Sequence, residues 1–420
     1  MTSADVFDGY IDRGWRFLAE LQRSLDMEFV VGRREGPYIW NLEDTRRVLE
    51  CGNSGGVHSL GHRNPEVLKT VQDALQVFDA GMWTMPTAEA LAFQDIVAAS
   101  APTPAICRSV LTLSATDSID LAVMFSFRVT GRRKALAYRY GYHGHSGFAA
   151  MVTGSDAEGL LEHYLLPTEY SAFFPEYGVL DAIERSLDED CAAIILEPMN
   201  YETFQPAAPG FLEGVAEICR RRGALLIIDE TRTGLGRSGK LWMTSHYSVE
   251  PDILILGKGL GAGLYPVSAL VATKRVYDAC MNSTHWGFMS SMAGSPIGAL
   301  VATKVVEIAQ RPATLANIAR LESDLTDAFA ELCTRYQDVF APAWVTGGIA
   351  ALGLRDAAAA KVVKRELFRR NVLCHSASEI APWVVKFFPC LTADATVGPA
   401  IAEALADFAE AWRRGAVDLG

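Results

Sequence analysis

The sequence has no run of about 18 apolar residues, the length a helix needs to cross a bilayer, so no membrane span is expected. It has no basic surplus. Against 38 Lys and Arg stand 50 Asp and Glu, a formal net charge of -12, which disfavours a nucleic-acid binder. It has no CxxC pair: the eight cysteines lie scattered at 51, 107, 191, 219, 280, 333, 374 and 390. That scatter argues against a disulfide framework or a zinc site and fits reduced thiols in a cytoplasmic protein. The opening residues, MTSADVFDGYIDRGW, carry neither the basic block nor the apolar core of a secretory signal. Repeats and low-complexity tracts are also missing. What remains is an ordinary globular composition over 420 residues, long enough for two domains or one large one.

Residues 1–30 read as one amphipathic helix, with Phe7, Ile11, Phe17 and Leu21 near one face. Further along, apolar runs alternate with helical patterns. SVLTLS (109–114), KALAYRY (134–140), CAAIILEP (191–198), ALLIIDE (224–230), DILILG (252–257) and VSALVAT (267–273) predict strands. DSIDLAVMFSFRVTG (117–131) and LEGVAEICRRRG (212–223) predict helices. Continuous apolar strands separated by helices imply an α/β fold with a mainly parallel sheet covered on both faces. The last hundred residues predict long helices and short strands, a smaller α+β domain.

Ligands of open α/β sheets sit at the carboxyl ends of strands. Here those ends deliver Ser114, Glu197, Asp229 and Lys258. Lys258 lies in LILGKGLGAGLYP, either as a solvated loop lysine or as a partly desolvated amine nucleophile. The glycines around it do not have dinucleotide-binding spacing, and no Walker A pattern exists. Asp229 is either a structural carboxylate or the partner of a cationic ring nitrogen. Ser114 and Asp117 make a capping pair that is either a plain helix start or an anion site. In YGYHGHS, Tyr142 offers a stacking aromatic; His143 and His145 lack a third metal ligand at suitable spacing.

Together these residues resemble the class III aminotransferases, a family of fold-type I pyridoxal-phosphate (PLP) enzymes. The resemblance runs from GPYIWNLED through LGHRNPEV to KFFPCL, and is most specific in LLIIDETRTGLGRSG with Lys258 downstream. It implies a large domain, residues 61–310, with a seven-stranded-type sheet that binds PLP. It also implies a small domain, 311–420, joined by the N-terminal segment 1–60. By the same resemblance Lys258 forms the Schiff base and Asp229 keeps the ring nitrogen protonated. Ala115 and Thr116 hold the phosphate, Tyr142 stacks on the ring with His143 beside it, and Thr231 packs on the opposite face. Glu197 is a second acid near the substrate. Ser291 reaches the phosphate of a neighbouring subunit, which implies a homodimer with active sites at the interface.

The chemistry implied is transfer of an amino group between an amine or amino acid and a carbonyl compound. A second reading is a PLP enzyme of specialised metabolism that replaces a β or γ group, or forms carbon–carbon bonds, through a quinonoid or vinyl intermediate, or an aminomutase. A third, a binding protein on a degenerate scaffold, is opposed by Lys258 and Asp229. Four departures from the family pattern bear on the choice. Ala115 replaces a glycine, Thr231 a valine and Arg232 a glutamine. Lys386 stands near the place of a substrate-clamping arginine. Arg232, which otherwise swings to solvent or pairs with a nearby acid, and Lys386 are therefore substrate-binding candidates, as is Trp83, which with Met82 and Met85 lines an entrance or belongs to an interface core.

Overall fold

The computed structural model describes residues 1–81, 85–154, 167–282, 288, 290–375 and 381–417. Trp83 and Met82 lie outside the described residues. The chain forms two compact units. One is Pro65–Leu315; the other joins Met1–Asn64 to Ala316–Gly420.

The larger unit is built on a seven-stranded sheet. Its strands are β1 (Ile106–Thr112), β2 (Lys134–Tyr138), β3 (Ser171–Phe174), β4 (Cys191–Leu196), β5 (Leu225–Asp229), β6 (Ile253–Leu256) and β7 (Ser268–Thr273). Their order is β1-β7-β6-β5-β4-β2-β3. Only β7 is antiparallel to its neighbours, β1 and β6; the other pairings are parallel. Every residue of β4, β5 and β6 is buried, which is why these segments read as unbroken apolar runs rather than alternating ones. The helix Ala115–Thr130 covers one face with Ile119, Ala122, Val123 and Phe125, packed against Val110, Ile227, Ile255 and Leu270. β1 starts earlier than its sequence pattern suggests and ends at Thr112, because Ser114 is already the cap of that helix.

The strand ends matter most. Since β1, β2, β4, β5 and β6 all run the same way, their carboxyl ends fall on one edge. The turn after β5 is fixed by Glu230. Its carboxylate accepts the N–H of Met243 and of Thr244 and the hydroxyls of Thr244 and Thr233. Burial raises its pKa, and those donors oppose the rise. The second acid of the Asp-Glu pair is thus a staple between the turn and residues 243–246, while Asp229 is left for other contacts.

The smaller unit holds two sheets. One runs Val31–Glu35, Tyr38–Asn41, Arg47–Cys51, Val372–Cys374; the other Phe340–Thr346, Ile349–Leu354, Val384–Phe387. Leu321, Leu325, Phe329 and Leu332 form one stripe of a long helix and share a core with Leu352, Phe387 and Phe408. Here the N-terminal expectation is corrected. Instead of one helix there are two, Ser3–Arg13 and Arg16–Ser24, broken at Gly14. The break shifts the helical phase, so Phe7 is buried but Phe17 and Leu21 are exposed.

Replacing Glu230 with Ala leaves four buried or half-buried donors without an acceptor. It should cost about 2–4 kcal/mol in urea unfolding, against about 1 kcal/mol for Thr233→Val. Equal costs for the two variants would contradict the staple.

Candidate active site

Asp229 ends β5 and is 2 % exposed. Its Oδ2 lies 2.8 Å from His143 Nδ1, and its Oδ1 accepts the Thr231 N–H at 2.9 Å. Burial alone would raise the carboxyl pKa, but the His143 and Thr231 contacts outweigh it and hold the pKa below its ordinary value. His143 is placed by its own backbone: its N–H and that of Gly144 both donate to Thr153 Oγ1, at 2.8 and 2.9 Å. The imidazole therefore stands behind Asp229 as a support, with Nε2 buried and making no hydrogen bond.

Lys258 follows β6 by two residues and takes the left-handed backbone conformation at φ 42°. A side-chain-bearing residue rarely adopts that conformation, at a cost of about 1 kcal/mol, and such strain gathers at functional positions. Burial, then the positive charge of Arg232, push the Lys258 amine down to about 8; Glu197 and Asp229 pull the other way. Its Nζ lies 5.9 Å from the centre of the Tyr142 ring.

The walls interlock through glycines. A Cβ on Gly257 would stand 2.8 Å from Ala115 Cβ, 3.0 Å from Ser268 Oγ and 3.3 Å from Thr231 Cγ2. A Cβ on Gly144, where φ is +138°, would stand 2.5 Å from Thr116 Oγ1. The start of the helix Ala115–Thr130, the Tyr142 loop, the turn after Asp229 and the approach to Lys258 therefore meet at close range. At the helix start Ser114 and Asp117 form a reciprocal capping box, which satisfies the N–H groups of Ser114 and Asp117 and leaves the first-turn N–H groups of Ala115 and Thr116 without a partner among the described residues, an arrangement that suits an anion.

Arg232 and Glu197 form a buried ion pair. Nε and Nη2 of Arg232 lie 2.7 and 2.6 Å from Glu197 Oε1. Nη1 is buried and makes no hydrogen bond among the described residues. Burial raises the Glu197 pKa, and Arg232 opposes the rise. The arginine does not swing to solvent. Its guanidinium lies 4.3 Å from the centre of the Tyr201 ring, which stacks on Tyr142 at 5.6 Å and 20°.

Of the residues singled out in the sequence, Ala115, Thr116, Tyr142, His143, Glu197, Asp229, Thr231, Arg232 and Lys258 come together at this edge. Ser291 is exposed on the surface of the same unit. Its carbonyl oxygen is 3.6 Å from where a Gly81 Cβ would stand. Lys386 is in the smaller unit, 1 % exposed, on the strand Val384–Phe387 opposite Ala351. Sequence reasoning missed Tyr201. The available signal was its place just beyond the carboxyl end of β4, the kind of position that drew attention to the other residues.

PLP fits this arrangement. The Asp229 carboxylate is able to face a ring cation, the Lys258 amine is half-buried and lowered to about 8, and the first-turn N–H groups of Ala115 and Thr116 suit an anion. Gly257 and Gly144 let the walls of the site meet closely, and Arg232 Nη1, buried with no hydrogen bond among the described residues, offers one further donor.

Comparison with known proteins agrees. Residues 21–408 match the aminotransferase class-III family. A protein of Archaeoglobus fulgidus named an uncharacterized aminotransferase is 34% identical over 340 residues, 80% of this chain and 78% of that protein. The acetylornithine aminotransferase of Rhodobacter capsulatus is 30% identical over 371 residues, 86% and 89% of the two chains. Among solved structures, a transaminase from a marine Virgibacillus superposes with a TM-score of 0.85 at 18% identity, covering 95% of this chain and all of that one, which supports the fold.

Gly257→Ala forces a methyl group against Ala115 and Ser268. PLP affinity, measured by fluorescence titration, should fall roughly ten-fold or more through overpacking at the site. Unchanged affinity would show that Gly257 does not line the cofactor seat.

Proposed function

The chain belongs to the class-III aminotransferases, which are PLP-dependent, and from that premise we propose that Lys258 is the amine that holds the cofactor and moves the substrate proton. The observation that supports this reading is the half-buried Lys258 amine, at about 8, on the sheet edge where Asp229 and the Ala115–Thr130 helix start also end.

When bound, PLP supplies an electrophilic carbon for amines and a ring that accepts electrons. The chain supplies the rest. Asp229, kept ionised by His143 and Thr231, favours a proton on the ring nitrogen. The N–H groups of Ala115 and Thr116 bind the phosphate. Tyr142 and Thr231 would help to hold the cofactor ring. Lys258, with an acidity close to neutral pH, takes a proton from the substrate carbon and returns it, as a general base and acid must. Glu197 and Arg232 line the same space.

The substrates in this reading are an amine or amino acid and a carbonyl acceptor. The name of the Rhodobacter relative makes acetylornithine the first donor to try. We further propose a homodimer. Leu75, Val77, Met85 and Leu91 are 56, 75, 70 and 61 % exposed, and Met292 is also exposed beside Ser291. So many large apolar side chains on one stretch call for a covering surface, and a second copy of the chain would bring Ser291 to it. The larger unit is proposed to carry the cofactor. The eight cysteines are all free thiols, which favours the cytoplasm.

The test is an absorbance spectrum of the purified protein, followed by single amino donors. A band at the violet edge should give way to that of the aminated cofactor, with one carbonyl product released per site. A lasting long-wavelength band without a carbonyl product would instead favour replacement or carbon–carbon chemistry. Lys258→Ala should lower turnover at least about a hundred-fold. Because only the neutral amine attacks, the rate of cofactor uptake should rise with pH and level off above about 8. A rate that falls over that range would contradict the role of Lys258.

A further inference from the structure

The loop after β4 is a rigid fold-back. Asn200 Oδ1 accepts the N–H of Glu202 at 2.8 Å and of Thr203 at 3.0 Å. Asn200 N–H donates to the Gln205 carbonyl at 2.8 Å, and Ala207 N–H to the Pro198 carbonyl at 3.0 Å. Phe204 takes φ +59° to close the turn. Tyr201 is carried on this loop. Its ring meets the Tyr142 ring and the Arg232 guanidinium, which also lies 5.3 Å from the Phe204 ring. Arg232 is therefore held by Glu197 through its nitrogens and by two aromatic rings through its plane.

We propose that Arg232 and Glu197 act as a fixed charge element that sets whether the Lys258 nitrogen carries a proton, and that Tyr201 is the positioning residue that holds Arg232 in place for it. This rests on Lys258 being the cofactor-bearing amine.

The backbone brings Lys258 towards the ion pair: a Gly257 Cβ would stand 3.3 Å from Thr231, the residue before Arg232, and Lys258 Nζ lies 5.9 Å from the Tyr142 ring, which stacks on the Tyr201 ring that meets Arg232. Among the described residues three charged groups act on it. Arg232 comes from the turn after β5, Glu197 from the end of β4 and Asp229 from the end of β5. His143 stands behind Asp229, with Nδ1 2.8 Å from its Oδ2. Arg232 favours the neutral amine, whereas Glu197 and Asp229 favour the ammonium. In a buried site such charges act with little screening. Arginine does not titrate in the working range, so its effect is constant with pH.

Electrostatic and structural roles predict different signs. If the ion pair served packing alone, removing either partner would strand a buried charge and harm the fold in the same way. If it tunes Lys258, the two removals must shift the amine in opposite directions.

The experiment is competitive acylation of the full-length chain with acetic anhydride, after any bound cofactor is removed. It runs over about pH 6 to 10 and is read on the Lys258 peptide by mass spectrometry. Arg232→Gln should raise the Lys258 midpoint by roughly one unit, and Glu197→Gln should lower it. Tyr201→Leu should shift it in the Arg232→Gln direction by a smaller amount. Tyr201→Phe, which keeps the ring, should leave it in place. Shifts of the same sign for Arg232→Gln and Glu197→Gln, or no shift in either, would overturn the proposal. Should either pair variant not fold, equal midpoints for Tyr201→Leu and Tyr201→Phe would overturn it as well. Borohydride reduction of the loaded wild type, with the label sought on Lys258, tests the cofactor role separately. Its failure would remove that role while the midpoints stay readable.

Discussion

The carboxylate of Asp229 is the fixed point of this molecule. A charge buried at the end of a central strand is costly unless it is paired or hydrogen-bonded. Here His143 and the Thr231 N–H meet that need from two sides. Much of the surrounding structure follows. His143 is held through Thr153, whose hydroxyl also donates to the carbonyls of Gly144 and Ala149. The turn after Asp229 is held by Glu230, which points to residues 243–246. Two adjacent acids thus divide the work, one aimed at the site and one binding the turn that presents it.

A second balance runs alongside. The edge gathers Lys258 and Arg232 on one side of the ledger and Asp229 and Glu197 on the other. Burial and Arg232 lower the Lys258 amine to about 8, and Glu197 and Asp229 keep it from falling further. A glutamine at 232 would leave Glu197 without its cation. The arginine and Tyr201 belong to one arrangement, and the Tyr142 ring lies close to both Tyr201 and the Lys258 nitrogen.

How far the sequence disclosed this depended on the range of the forces involved. β4, β5 and β6 were legible because burial on both faces leaves unbroken apolar runs. Asp229 and Lys258 were legible because each polar residue follows such a run directly. The N-terminal helix was misread as continuous, since the pattern of Phe7, Ile11, Phe17 and Leu21 gives no sign that Gly14 resets the phase. Arg232 was noticed as a departure, but its partner was not identified, because an ion pair across 35 positions leaves no local trace. Tyr201 escaped for the same reason. Its stacking depends on how the fold-back at Asn200 turns the chain, and nothing in the residues beside it announces two ring partners.

The most direct test of the central role of Asp229 is nitrogen-15 NMR of the loaded enzyme, with the label on the pyridine nitrogen of PLP. With wild-type protein the nitrogen should be protonated from about pH 6 to 9, and with Asp229→Asn it should be neutral over most of that range. A neutral nitrogen in the wild type, or an unchanged one in Asp229→Asn, would contradict the role assigned to Asp229.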